Sequence, residues 1–270
     1  MHALVSNPPH RARVASMYFL GFRMGLPSGK CFAFLVAIVA ITGIAAVPNA
    51  QARKGFWFGA GGAQQSAGGD LDGQQQHVYL NSTQTEAAVP GKLDTGSGTE
   101  FDIGYGVNDY VGAEALIAAT THNATNSYLS PKLDTTAALV SIMGGLRFTL
   151  PSRNKGAELF FRTMLGAYGV AYQDYAVSGA VAGNQFAYTS TGTATFSGTG
   201  GAIGIGAEVF LGNFGLSLGY TYSAASFSSV SGTGSNNSSY TANLSKALSV
   251  PITTIDLLLT YHVPEGSSGT

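Results

Sequence analysis

Charge is scarce in this chain. Asp, Glu, Lys and Arg together make 10% of its 270 residues, against about 25% in an ordinary soluble domain. A water-exposed surface built from it would be short of the Lys and Glu that keep proteins dispersed. The formal net charge of -1 leaves no basic footprint, which excludes nucleic acid as a partner. Cysteine occurs once, at Cys31, so there is no intramolecular disulfide and no thiolate metal centre. Long apolar runs are missing beyond one near the start, and the mean hydropathy is only +0.17, which excludes a bundle of membrane helices. What is abundant is glycine, at 37 residues, and aromatics, at 11%. Low charge, modest hydropathy and many Gly, Ser, Thr and Tyr suit strands whose two faces meet different solvents, so that hydropathy averages out along the chain.

The one apolar run, CFAFLVAIVAITGIAAV at 31–47, follows Lys30 and is broken by Pro48 and Asn49. Ala50-Gln51-Ala52 comes next, with small residues at the two positions signal peptidase reads. Residues 1–52 are therefore read as an export leader cleaved after Ala52, with Met24 or Met17 as alternative starts that would give it ordinary length. Cys31 precedes the apolar stretch, so it is not a lipoprotein site. The remaining chain keeps all 14 acidic and 9 of the 13 basic residues, for a net charge of -5.

After Ala52 the apolar residues recur with period two, the strand signal. Eight strands are predicted, at 55–64, 98–106, 109–122, 135–150, 157–172, 196–211, 214–227 and 246–263. Short connections (107–108, 151–156, 212–213) alternate with long polar ones (65–97, 123–134, 173–195, 228–245). Short turns at one end and long loops at the other describe an up-and-down meander of the outer-membrane kind. Each predicted strand offers Ile, Leu, Val, Phe or Tyr on one face. On the other are Gly, Ser and Thr together with Glu100, Asp102, Glu114, Arg147, Glu158, Arg162, Glu208 and Asp256. The Gly-Ser-Thr face makes a poor aqueous surface but a tight interior. The apolar face is thus placed outward, against lipid, and the acids and arginines inward, near the short turns. An open sheet edge in hydrocarbon would strand backbone groups at several kcal/mol each, so the sheet must close. Phe56, Phe58, Tyr105, Phe148, Phe161, Phe214 and Tyr261 recur near the short-turn ends of the outward face, as a periplasmic aromatic girdle does. The expected architecture is all-β: a closed antiparallel transmembrane barrel over 53–263, then a short tail at 264–270.

These residues resemble the small outer-membrane β-barrel family of proteobacteria, the OmpA/OmpX-type eight-stranded barrels. The likeness is carried by GFWFGAGGA after the cleavage site, FDIGYGVNDYVGAEALIA as a hairpin, and the closing strand TTIDLLLTYHV. The resemblance implies outer-membrane lipid and lipopolysaccharide as surroundings, delivery by the export and barrel-assembly machinery, and a monomer. In one respect the chain departs from the pattern. Such barrels usually close on an aromatic residue that the assembly machinery reads, and here Val263 stands in that place with PEGSSGT after it.

The interior charges are the most informative constellation. Buried charges must be paired or hydrogen-bonded, and an eight-stranded barrel is just wide enough for side chains to fill. A salt-bridged plug without catalysis is the first expectation, with a structural or surface-interaction role through the polar loops. The alternative is a narrow path for small cations or protons along the acidic interior. A lipid-modifying enzyme is the third reading, and it fails on sequence. His122 is followed by Asn123-Ala124-Thr125, without the serine two residues on that barrel lipid deacylases carry. His122 is read as a wet interior or loop residue and His262 as lying at the periplasmic mouth. No catalytic group, metal site or cofactor is expected. The glycines at 59, 61 and 62 lack the lysine and the strand–helix context of a phosphate loop.

Overall fold

The computed structural model describes residues 54–71, 77–80, 85–88, 92–126, 133–151, 156–175, 180–181, 184–185, 192–233 and 239–264. The predicted leader, with its cleavage residues Ala50 and Ala52, lies outside the described residues, as does most of the tail. Eight long strands carry the fold: β1 (Gly55–Ala67), β2 (Gly96–Gly106), β3 (Val111–Asn126), β4 (Leu133–Pro151), β5 (Ala157–Tyr175), β6 (Gly192–Leu211), β7 (Phe214–Thr233) and β8 (Ser239–His262). Each pairs antiparallel with the next in sequence, and β8 pairs back to β1 from Trp57↔His262 to Ala67↔Ile252. The sheet is therefore closed, and its backbone groups are satisfied by neighbours all the way round.

Register fixes the geometry. From Trp57 the paired residues run Gly104, Glu114, Gly145, Met164, Ala202, Ser223 and Ile252, and return to β1 at Ala67, ten residues higher. A shear of ten on eight strands sets a tilt of roughly 40°, so each residue climbs about 2.5 Å along the barrel axis.

The turns at one end are tight. Between β2 and β3 the chain reverses over 107–110. There the Asn108 side chain accepts from the backbone N–H groups of Tyr110 (2.8 Å) and Val111 (2.9 Å), and the Val107 N–H donates to the Val111 carbonyl (2.9 Å). This side-chain-closed turn takes Asp109 and Tyr110 out of the strand in which the sequence pattern had put them. Between β6 and β7 the turn is Gly212-Asn213, with Gly212 at φ +68°, a conformation that costs an L side chain.

At the other end the strands outrun the sequence expectation. β3 reaches Asn126 instead of 122, β7 reaches Thr233 instead of 227, and β8 begins at Ser239 instead of 246. Alternation persists there, but its polarity inverts. On β7 the inward residues change from Ser217, Thr221 and Ser223 to Ala225, Phe227 and Val230. The outward ones change from Tyr220 and Tyr222 to Ala224, Ser226 and Ser228. A pattern read as apolar-out therefore looks like a loop where it becomes apolar-in.

The +68° angle generates a direct test. Gly212→Val is expected to lower the stability of the refolded barrel by about 1–2 kcal/mol in urea titration, while the neighbouring Asn213→Ser changes it by less.

Candidate functional site: the barrel interior and its outer wall

The eight sequence-predicted charges are all buried, none more than 9% exposed. Arg147 of β4 and Arg162 of β5 are paired neighbours on adjacent strands, and each gathers its own acids. Arg147 Nη2 donates to Glu158 Oε1 (2.8 Å) and to Glu208 Oε2 (2.7 Å), and its Nη1 lies 3.9 Å from Glu114. Its guanidinium lies against two rings, 4.0 Å from the Phe160 centroid and 5.3 Å from that of Trp57. Arg162 Nη2 donates to Asp256 Oδ1 (2.6 Å). With Nε it also donates to the Thr221 hydroxyl, at 2.5 and 2.9 Å. Its Nη1 stands 3.8 Å from both Glu100 and Glu114, which ties the two arginine clusters together. Asp102 accepts from Trp57 Nε1 (3.1 Å).

Glu208 is the most heavily bonded acid. Besides Arg147 it binds His262 Nε2 (2.8 Å) and the Thr260 hydroxyl. His262 thus closes the short-turn mouth as a partner of the network. Beside it a cavity of about 20 Å³, touching Trp57, Asn108, Arg147, Glu158 and His262, has room for about one water.

Sequence reasoning missed Trp57, Phe160, Thr221 and Thr260 as members of this network. The signal was present for Trp57. It falls between outward Phe56 and Phe58, so a strand must turn it inward, where its N–H needs an acceptor. The packing leaves no room for alternatives, since a Cβ at Gly104 or Gly112 would run into the indole.

Above the charges lies a polar layer. The Thr120 hydroxyl donates to Gln65 Oε1 (2.7 Å), and Gln65 Nε2 donates to Thr254 Oγ1 (3.1 Å). His122 joins with Nε2 2.8 Å from Thr120 Oγ1, and its Nδ1–H donates to the Asp94 backbone carbonyl (2.7 Å). Of the reading of His122 as a wet interior or loop residue, the interior holds and the loop is corrected: His122 is on β3, 1% exposed and bonded at both ring nitrogens. Higher still the interior is apolar. Leu139, Val170, Tyr172, Phe196, Phe227, Leu248, Val250 and Ile252 are all buried. The inward face is therefore Gly, Ser, Thr and charge only in its lower half. The upper half is a hydrophobic core, built from the upper ends of the predicted strands, whose inward apolar residues the sequence pattern had not singled out.

The outer wall runs the opposite way. The seven predicted girdle aromatics are 38–53% exposed, and six of them meet in cross-strand pairs: Phe56–Tyr105 at 4.8 Å, Phe214–Tyr261 at 5.1 Å and Phe148–Phe161 at 6.2 Å between centroids. On β4 the outward positions are apolar or glycine from Val140 to Leu150, then give way to Ala138 and Thr136. Ten residues at this tilt span about 25 Å, the height of the lipid-facing band of outer-membrane barrels. Above that band the exposed outward positions include Thr121, Asn123, Ser197, Thr199, Ser226 and Ser249.

Residues 34–247 match the family described as outer membrane protein beta-barrel domain. The chain belongs to that family. It is an integral protein of the bacterial outer membrane, surrounded there by lipid and lipopolysaccharide. Among solved structures this family member is similar to Ail of Yersinia pestis, solved with the heparin analogue sucrose octasulfate (19% identity, 78% of this chain and 99% of that one, TM-score 0.42). It is similar also to Neisserial surface protein A (14% identity, 79% and 100%, TM-score 0.45). A third is the outer membrane protease OmpT of Escherichia coli (8% identity, 81% and 99%, TM-score 0.37). The search of curated proteins gave no match. Fold alone leaves catalysis open, and side chains must decide it.

The buried network generates a stability prediction. Arg162→Met strands Asp256 and Thr221 in the interior and should cost about 3–5 kcal/mol in urea unfolding. Adding Asp256→Asn removes the orphaned charge and should recover part of the loss; equal stability of R162M and the wild type would contradict the network.

Proposed function

We propose that this outer-membrane barrel is a non-conducting, non-enzymatic mount, and that its role is structural or one of surface interaction through the extracellular loops. The observation that carries the reading is the filled interior. Each arginine is bound to a carboxylate at 2.6–2.8 Å, rings pack on Arg147, and apolar side chains pack above. Ion conduction needs sites that an ion can enter and leave. Here Glu158, Glu208 and Asp256 are hydrogen-bonded by guanidinium groups, Glu100 and Glu114 stand 3.8–3.9 Å from them, and the upper half offers hydrocarbon. That weighs against the cation or proton path.

Catalysis is disfavoured by the same packing. A nucleophile and a base must be within reach of each other and of substrate. His122 lies beside Thr120 but both are buried, and its second nitrogen is held by a backbone carbonyl instead of a carboxylate. Among the described residues no cluster of His, Cys, Asp and Glu could hold a metal.

The polarity inversion gives the loops a setting. Above the 25 Å band the strands continue with apolar residues inside and Ser, Thr and Asn outside, the arrangement of a water-soluble barrel. We read this part as a stem that stands clear of the hydrocarbon and carries the loops outward. The girdle aromatics then sit at the periplasmic interface. Delivery by the assembly machinery and a monomeric state complete the reading.

Planar-bilayer recording tests it. Refolded barrel is expected to give no conductance steps, and reproducible cation-selective steps would overturn the closed interior. Lipid A from cells with and without the protein should carry identical acyl chains by mass spectrometry; a changed chain would establish an enzyme.

A further inference from the structure

The outer wall is not evenly padded. Across the β8–β1–β2–β3 seam two rows of outward residues lie side by side. One is Leu259, Ala60, Phe101 and Ile117; the other, nearer the short turns, is Tyr261, Phe58, Ile103 and Ala115. The methyl groups of Ala60 and Ala115 leave the floor low between bulky walls, and the result is a groove of about 440 Å³. Its walls are carbon, it lies wholly inside the lipid-facing band, and it reaches the aromatic level at its lower end. One cation stands at its foot. Lys54 is exposed just before β1 and, among the described residues, is the only exposed lysine or arginine at the short-turn end; Lys92 and Lys246 are at the other.

The spacing of these two features decides what fits. Six residues separate Lys54 from Ala60, about 20 Å of strand and about 15 Å of depth at the barrel's tilt. Half of the lipid-facing band is about 12 Å, so Lys54 stands just below it, at headgroup level. A molecule with an anionic head at the periplasmic interface and a chain reaching the midplane would therefore touch both. We propose that this groove is a seat for one phospholipid of the inner leaflet, with an acyl chain between the walls and the phosphate beside Lys54. Depth argues against lipopolysaccharide as the occupant, because its chains enter from the opposite leaflet. The proposal depends on the barrel's orientation in the membrane and is independent of what the loops do, so a conducting or ligand-binding barrel would leave it standing.

Native mass spectrometry of the refolded mature chain in detergent, with phosphatidylglycerol as the probe, tests it. The wild type is expected to hold one lipid. Ala60→Phe with Ala115→Phe fills the groove from the lipid side, where folding is least disturbed, and should abolish that adduct. Lys54→Gln should weaken it about fivefold while leaving an uncharged diacylglycerol unaffected. Ile205→Phe, on the far wall, is the control and should change nothing, and heat-modifiable gel migration confirms that each variant is folded. Undiminished retention by the folded double variant would overturn the seat, as would an equal loss of diacylglycerol in Lys54→Gln or a preference for lipopolysaccharide.

Discussion

Closure of the sheet through the β1–β8 pairing is the constraint on which the rest of this structure depends. Without it two strands would present unpaired N–H and C=O groups to hydrocarbon, and no side-chain interaction could offset that cost. With it, the shear of ten fixes a narrow interior. Everything that faces inward must then fill that width and satisfy its own polar groups. The alternation of large and absent side chains around Trp57, with Gly104 and Gly112 beneath the indole, follows from this confinement.

The interior meets the demand in two ways along its height. In the band where the outer wall is apolar, the inside holds charge, bound by arginines, hydroxyls and rings. Above it the inside is hydrocarbon and the outside polar. Each arrangement suits its surroundings. Burying hydrophobic side chains within a barrel gains nothing where the outer solvent is also hydrocarbon, whereas in water the same burial is the main source of stability. A polar network supplies specificity of packing where hydrophobic contrast is lacking, provided its members find partners. The switch between regimes on β7, from Ser223 inward and Tyr222 outward to Phe227 inward and Ser226 outward, takes only four residues.

The same switch explains what was legible in the sequence. Eight strands, their order, the turns near 107–110 and 212–213, and the inward direction of the eight named acids and arginines could be read from period two and the short connections. The upper strand segments could not, since runs such as Ser226–Ser231 are polar in composition and only the inward Phe227 and Val230 carry the signal. The partners of the charges were also hidden. Period two says that Thr221, Thr260 and His262 face inward, but only the stagger of the strands puts Thr221 against Arg162 and His262 against Glu208. His122 illustrates a third limit. Its burial follows from the piece at Lys92–Leu93, which pairs with β3 and brings the Asp94 carbonyl to the ring; that piece has no periodicity of its own.

The central claim is that solvent changes along each strand at the level where inside and outside exchange polarity. Nitroxide labelling on β7 measures this most directly, because the only cysteine, Cys31, lies in the predicted leader. Labels at Tyr222→Cys, Ser226→Cys and Phe227→Cys in reconstituted bilayers are compared for collision with oxygen and with a water-soluble nickel complex. The account predicts oxygen access at 222, nickel access at 226, and little of either at 227. Nickel access at 222, or an oxygen-rich environment at 226, would contradict it.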